Sequence, residues 1–336
     1  MDAINNTAEQ KGIDGDIVFI NQQIGIEEED LKEFLIWVSE HLDIFLKMIG
    51  RHTRSSTFDL TFDINGILYS LNIKGADVSK PYIRSDFKDH SLKLMGFETR
   101  EDVGYVLESH HRVSKIPGFV TEIPLLVIRP EVIPFDGELI PNKLFASHVL
   151  IHKTSDFFYS GKIDPVMREE EELRIKSFIE NTEAVVVLRL LPCAYRMEDL
   201  ETLLEENKAE VETLLRNLCE THNINLSEDN LISEYLKTVL CTNLGQQLGL
   251  LHANSALHGC ISPHNITLLG YLVDLDTFEF DYKPNQFKNK LAEEYTKTKK
   301  GLSHMLTEFV TEGLLSEADK MHCLNVFCDE YAKASA

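Results

Sequence analysis

The residues of this chain best suited to chemistry stand in one run, Leu257-His258-Gly259-Cys260-Ile261-Ser262-Pro263-His264-Asn265-Ile266-Thr267, which continues through Gly270 to Val273-Asp274-Leu275-Asp276-Thr277-Phe278. It reads as a polar loop, a short apolar strand, a glycine turn at Gly270, a second short apolar strand, and an acidic residue where that strand ends. Asn265 and Asp274, nine positions apart at the edges of such a hairpin, can turn two oxygen ligands toward one point. That point suits a hard cation. Magnesium or manganese wants oxygen ligands, takes one or two from protein, and leaves the rest to water and substrate phosphates.

A His-Gly, then Asn265, then a strand pair closing on Asp274 has the form of a kinase catalytic loop followed by its metal-binding Asp-Phe-Gly segment. Cys260 stands where the usual catalytic-loop aspartate would be, and Leu275-Asp276 replace Phe-Gly, so an ordinary protein kinase is not expected. His258-Gly259, Asn265, Leu269-Gly270, Asp274 and Phe278, at this spacing and without gaps, more closely resemble the metal loop of the selenoprotein-O family, whose members have a protein-kinase-like fold and transfer AMP rather than phosphate. Two further stretches are similar to that family. Ile73-Lys74-Gly75-Ala76, followed by Pro81-Tyr82 and Arg84, resembles its Leu-Lys-Gly-Ala segment leading on to Pro-Tyr-Ser-Arg. Arg189 and Arg196, seven apart and flanking Pro192, resemble its Thr-Arg-Val-Ala-Pro-Ser-x-x-Arg.

The resemblance implies roles. Lys74 would be the kinase-type strand lysine on the nucleotide phosphates, with Gly75, Arg84, Arg189 and Arg196 also binding nucleotide, and Asn265 and Asp274 would hold magnesium or manganese. Glu108, ahead of Ile116-Pro117, falls within a residue of the family's helix glutamate and would pair with Lys74; a surface acid is the alternative, and Glu101 is nearby. The family has an aspartate, a candidate general base, where this chain has His264. A histidine can accept a proton near neutral pH, while a loop histidine bonded to backbone is the plainer reading. The family's Gly-Asp-Gly-Arg segment is not evident; the stretch Ser85–Leu94 carries Asp86 and Lys88 instead. With ATP inverted, the α-phosphorus would face a hydroxyl on a protein or small-molecule acceptor, and pyrophosphate would leave. Two other readings stay open: a kinase-like phosphotransferase acting on a small molecule or peptide in biosynthesis, and a nucleotide-binding pseudokinase working through a protein partner.

These residues need elements to hold them. Phe58, Leu60 and Phe62 alternate with polar residues, Asn65-Gly66 supplies a turn, and Ile67, Tyr69, Leu71 and Ile73 alternate again, predicting a hairpin in which Lys74 ends the polar face of the return strand. Taken alone, a strand lysine is most often a solvated one. Ala184–Leu191 predicts a buried strand interrupted by Arg189, which must find an anion, either phosphate or a buried acid. Glu27–Ile49, Thr99–Val113, Asp199–Cys219, Asn230–Leu251, a charged segment around Lys288–Lys300 and a final helix entered at Ser316–Asp319 show helical spacing or caps. Ile123–Phe135 is apolar but holds Pro124, Pro130 and Pro134, which predicts an edge strand or a crossing loop.

The order strand lysine, helix acid, arginine-bearing strand, helices and metal loop predicts an α+β chain. By resemblance it is a two-lobed protein-kinase-like fold: an N-terminal extension over 1–50, a β-rich N-lobe over 51–191 and a helical C-lobe over 192–336. The 336 residues suffice for such a unit, and a hydrophobic content of 43% is ordinary for a folded protein. A formal charge of −22 repels nucleic-acid phosphates and anionic membranes, so neither is an expected partner. The polar, acidic start, the lack of a spanning apolar run, and six cysteines without disulfide or zinc spacing predict a cytoplasmic protein.

Overall fold

A computed structural model describes residues 15–21, 55–74, 82–85, 92–95, 98–135, 138–145, 173, 177, 182–227 and 230–336. The helix expected over Glu27–Ile49 lies outside these residues, as does Gly75.

The fold is mixed α+β. Strands β2 (Ser55–Ile64) and β3 (Ile67–Lys74) form the expected hairpin. Its turn residues Asn65 and Gly66 have φ of 55° and 78°, the left-handed pair that an Asn-Gly turn supplies most readily, and the Gly66 amide donates to Asp63 Oδ1 at 2.9 Å. The hairpin joins a sheet with β1 (Gly15–Ile20), β7 (Ile123–Pro130) and β10 (Ala184–Leu191) in the order β1-β7-β10-β3-β2, and the two-residue β6 (Glu98–Thr99) pairs with β10. The β1–β7 and β6–β10 pairs are antiparallel. Two small antiparallel ladders accompany it: β4 (Tyr82–Ser85) with β5 (Leu92–Met95), and β8 (Val132–Phe135) with β9 (Glu138–Pro141).

One expectation is corrected here. The strand β7 is not at an edge but lies between β1 and β10. Its prolines explain how: Pro124 and Pro130 sit at the two ends, so Leu125 to Ile128 keep their ladder amides and are buried. Pro134 falls in β8 of a two-stranded ladder, where proline is tolerated.

Helix α1 (Arg100–Val113) begins where Thr99 and Asp102 cap it reciprocally, Asp102 Oδ2 accepting the Thr99 hydroxyl at 2.7 Å and Thr99 Oγ1 accepting the Asp102 amide at 3.2 Å. The single helix expected over Asp199–Cys219 is two, α2 (Met197–Glu206) and α3 (Ala209–Thr221). Asn207 divides them: its side chain donates to Glu210 Oε1 at 2.6 Å, and its backbone leaves the helical region at φ −156°. Then come α4 (Leu231–Tyr235), a π-helical segment (Leu236–Cys241), α5 (Thr242–Ala253), α6 (Pro284–Thr311) and α7 (Glu317–Ala334). Ser316 caps the last helix by accepting the Asp319 amide at 3.1 Å, as its spacing predicts.

The residues form two compact units, the first drawn from Met1–Thr57, Asn72–Gly104 and Pro124–Arg189, the second from Phe58–Leu71, Tyr105–Ile123 and Leu190–Ala336. The second has an extensive apolar core in which Tyr235, Leu244, Leu248, Phe278, Phe309 and Phe327 are fully buried. Among the described residues no helix is long and apolar enough to cross a membrane.

Candidate functional site

The loop from Leu257 to Phe278 lies wholly within the second unit. Its strands are so short that they reduce to single bridges, Ile266 with Leu272 and Leu257 with Glu279, flanked by 3-10 turns at Pro263–Asn265 and Leu275–Thr277. Two glycines let it close. At Gly270, φ is +80° and a Cβ would stand 2.6 Å from the Leu240 carbonyl oxygen of the π-helical segment; at Gly259, φ is +81° and a Cβ would stand 2.2 Å from the Thr277 oxygen. No side chain fits either place.

Asn265 and Asp274 are brought together by backbone. The amide of Val273 donates to the Asn265 carbonyl at 3.0 Å, so the residue preceding the aspartate is bonded to the asparagine itself. The Asn265 side chain is 1% exposed. Its Nδ2 donates to the Cys260 carbonyl at 2.9 Å, and since a carbonyl only accepts, this bond fixes the amide orientation. Its Oδ1 is then left buried with no hydrogen-bond partner among the described residues. A buried acceptor left unmade costs about 1–3 kcal/mol, so such an oxygen calls for an ordered water or a cation.

Asp274 is buried in the left-handed region, with φ 80° and ψ 64°. For a residue other than glycine that costs on the order of 1 kcal/mol or more and persists only where neighbours enforce it. The neighbours are evident. Glu122, fully buried, accepts the Asp274 amide on Oε2 at 2.9 Å and the Leu275 amide on Oε1 at 3.3 Å, while the Asp274 carbonyl accepts the Thr277 hydroxyl at 2.8 Å.

The loop ahead of Asn265 is held by a second buried carboxylate. Glu294 of α6 accepts the Gly259 amide at 2.7 Å and the His258 amide at 3.1 Å, and its Oε2 lies 2.8 Å from His252 Nε2. Burial alone would push the Glu294 carboxyl up, but the His252 hydrogen bond, the charges of His258 and His252 and the Gly259 amide outweigh it and hold the group below the ordinary glutamate range. His258 ties the two halves of the hairpin: its Nε2 lies 2.8 Å from the Val273 carbonyl, which can only accept, so this nitrogen carries the hydrogen.

Arg196 belongs to the same unit. Its guanidinium donates to the carbonyl of His264, the residue before Asn265, and its own amide donates to Asp199 Oδ2 at 2.7 Å. His264 itself is exposed, with ring nitrogen Nε2 3.0 Å from the Ser262 hydroxyl. Cys260 is exposed on the same loop.

In the first unit, Lys74 is not solvated: it is 4% exposed and lies 3.5 Å from Glu98, itself 1% exposed. The polar face of β3 is buried at its end, since Asn72 is buried too and accepts Arg189 Nε at 2.9 Å. Arg189 is buried within β10, as its apolar flanks require. Arg84 stands opposite Lys93 in the β4–β5 ladder.

The acid partner of Lys74 is therefore corrected. Glu108 lies on the exposed side of α1, where it accepts Arg112 four residues on at 2.9 Å. The carboxylate facing Lys74 is Glu98, placed by the β6–β10 pair opposite Val185. A sequence signal existed. Thr99-x-x-Asp102 starts the helix after Glu98, leaving this acid on the strand before the cap, where a buried acid needs a cation. Glu122 and Glu294 were also missed, because each acts at long range on backbone amides that no side-chain motif marks.

Among the described residues no group of three or more His, Cys, Asp or Glu side chains could hold a metal ion. Asn265 and Asp274 nonetheless fit magnesium or manganese bound together with phosphates, because such an ion needs few protein oxygens and Asn265 Oδ1 is an oxygen without a partner. Comparison with protein-family models and with curated proteins returned no match for this chain.

Proposed function

We propose that this protein is an ATP- and metal-dependent adenylyltransferase of kinase-like, two-lobed architecture that moves AMP onto a hydroxyl of a protein or small-molecule acceptor. The observation that carries the proposal is the buried, unpartnered Oδ1 of Asn265 on a hairpin whose far side holds Asp274 in a strained backbone. A fold has no physical need for either feature on its own; a divalent cation with nucleotide phosphates gives both a use. Choice of AMP over phosphate rests on the resemblance of Arg189, Pro192 and Arg196 to the selenoprotein-O pattern.

In this reading Asn265 and Asp274 would hold the cation, which would supply positive charge to the phosphate oxygens. Lys74, kept in place by Glu98, and the guanidinium groups of Arg189 and Arg196 add fixed positive charge where negative charge accumulates; such preorganised electrostatics are usually the largest catalytic contribution. The acceptor oxygen attacks the α-phosphorus, the bond from that phosphorus to the bridging oxygen breaks, and pyrophosphate leaves. His264, exposed and adjacent to Asn265, takes the acceptor proton.

Incubation of the purified protein with ATP and magnesium or manganese, followed by nucleotide analysis and intact mass, tests this directly. Pyrophosphate and an AMP-sized mass gain are expected, both lost in Asp274→Ala. ADP with a phosphate-sized gain would replace adenylyl transfer by a kinase reaction, and no metal-dependent nucleotide binding at all would remove both.

A further inference from the structure

The carboxylate behind Asp274 is more than the hairpin needs. Its segment is already anchored without it: Gln247 of α5 accepts the Val120 amide at 2.6 Å and donates to the Gly118 carbonyl at 3.0 Å, and the Thr121 hydroxyl donates to the Leu272 carbonyl at 2.7 Å. Those bonds hold residues 118 and 120 against α5 and Thr121 against the hairpin, and would suffice as a brace. The next residue adds a fully buried carboxylate with both oxygens on consecutive amides, those of Asp274 and Leu275. Burying a carboxylate is expensive, and a neutral side chain could make one such bond at lower cost.

We propose that Glu122 is a positioning residue for the metal site: it holds the amide side of Asp274, so that the left-handed backbone, and with it the direction of the Asp274 carboxylate, is set before the metal nucleotide arrives. Thr277 fixes the carbonyl side of the same residue, with its hydroxyl at 2.8 Å and its amide at 3.1 Å from the Asp274 oxygen. Between them the two peptide groups around Asp274 are immobilised. With Glu122 removed, the Asp274 backbone can relax toward the ordinary regions of φ, which changes the direction of its Cβ and so of its carboxylate. Groups that orient a ligating carboxylate in this way commonly change metal affinity about 10–100-fold when replaced.

The inference rests on the metal-nucleotide reading above, and its test separates the two. Manganese-dependent ATP affinity is measured by the electron paramagnetic resonance signal of free manganese, and metal-free ATP affinity by calorimetry, for wild type, Glu122→Gln and Thr121→Val. Glutamine is isosteric and retains one acceptor; Glu122→Asp serves should the glutamine variant fail to fold. Thr121→Val breaks a bond to the same hairpin without touching Asp274, so it controls for bracing alone. The expected result is an affinity for manganese ATP about tenfold or more weaker in Glu122→Gln, with metal-free ATP binding unchanged, whereas Thr121→Val lowers Tm and keeps the manganese ATP affinity. Wild-type affinity in Glu122→Gln, or an equal loss in Thr121→Val, overturns the positioning role and leaves the nucleotide reading standing. No manganese-dependent ATP binding by wild type overturns both.

Discussion

Two regions of this molecule bury charge and solve the problem in opposite ways. In the sheet, charged and polar side chains answer one another, Lys74 facing Glu98 and Arg189 facing Asn72. In the Asn265–Asp274 hairpin the buried carboxylates Glu122 and Glu294 answer the backbone, accepting the amides of Asp274, Leu275, His258 and Gly259. The difference shows in what is left over. The hairpin spends its carboxylates on holding shape and, among the described residues, gives Asn265 Oδ1 no hydrogen-bond partner.

The sharpest way to break this contrast is to remove one partner in the sheet. Glu98→Gln removes the carboxylate charge beside the buried Lys74 ammonium and should destabilise the protein by about 3–5 kcal/mol. The double variant Lys74→Met, Glu98→Leu should recover most of that loss, because an apolar pair of similar volume is close to neutral where an ion pair stood. Both proteins should bind ATP poorly. Denaturant unfolding checks the stability arm; a double variant as unstable as Glu98→Gln would mean that the ion pair is not the reason these residues are buried.

In the hairpin, function and stability should part company instead. Asp274→Gly removes the carboxylate but suits φ of +80°, so metal-dependent turnover should fall on the order of a hundredfold or more with no loss of Tm. A variant that loses both would show that Asp274 is structural. Gly270→Ala should do the converse through packing alone: the added methyl meets the Leu240 carbonyl at 2.6 Å in a left-handed position, and destabilisation of roughly 2 kcal/mol or more is expected by thermal unfolding.

The same contrast explains what could be read from the chain. Asn265, Gly270 and Asp274 are close in sequence, and the glycine turn at Gly270 joins the two short segments that carry the other two, so their placement was legible. The β2–β3 hairpin was legible for the same reason, through Asn65-Gly66. Glu98 was not, because the kinase-type pattern puts the lysine's acid on a helix, and this acid stands on the strand before the cap of α1. The three prolines of Ile123–Phe135 point to an edge strand or a crossing loop, although two of them occupy the ends of β7, where no central ladder bond is lost. Glu122 and Glu294 reach backbone amides 152 and 36 residues away, and a backbone amide carries no signature of who accepts it.

The smallest effect is also the one that tests whether the hairpin's carboxylates act as charges. Glu294 has its folded-state value held below the ordinary 4.5 by His252 and its other donors despite burial. Above 4.5 both folded and unfolded chains carry the ionised group, and its contribution to stability is complete. As pH falls below that value the unfolded chain takes up the proton first, so stability declines until the folded-state value is passed and this contribution is gone. Glu294→Gln keeps one acceptor oxygen for the loop amides and loses the titration. It should be less stable than wild type at neutral pH and show a flatter fall of Tm with acid, the two curves converging as pH drops. Parallel curves would mean that the loop is held by an acceptor of any kind, and the distinction between a charged clamp in the hairpin and a charged pair in the sheet would rest on Glu122 alone.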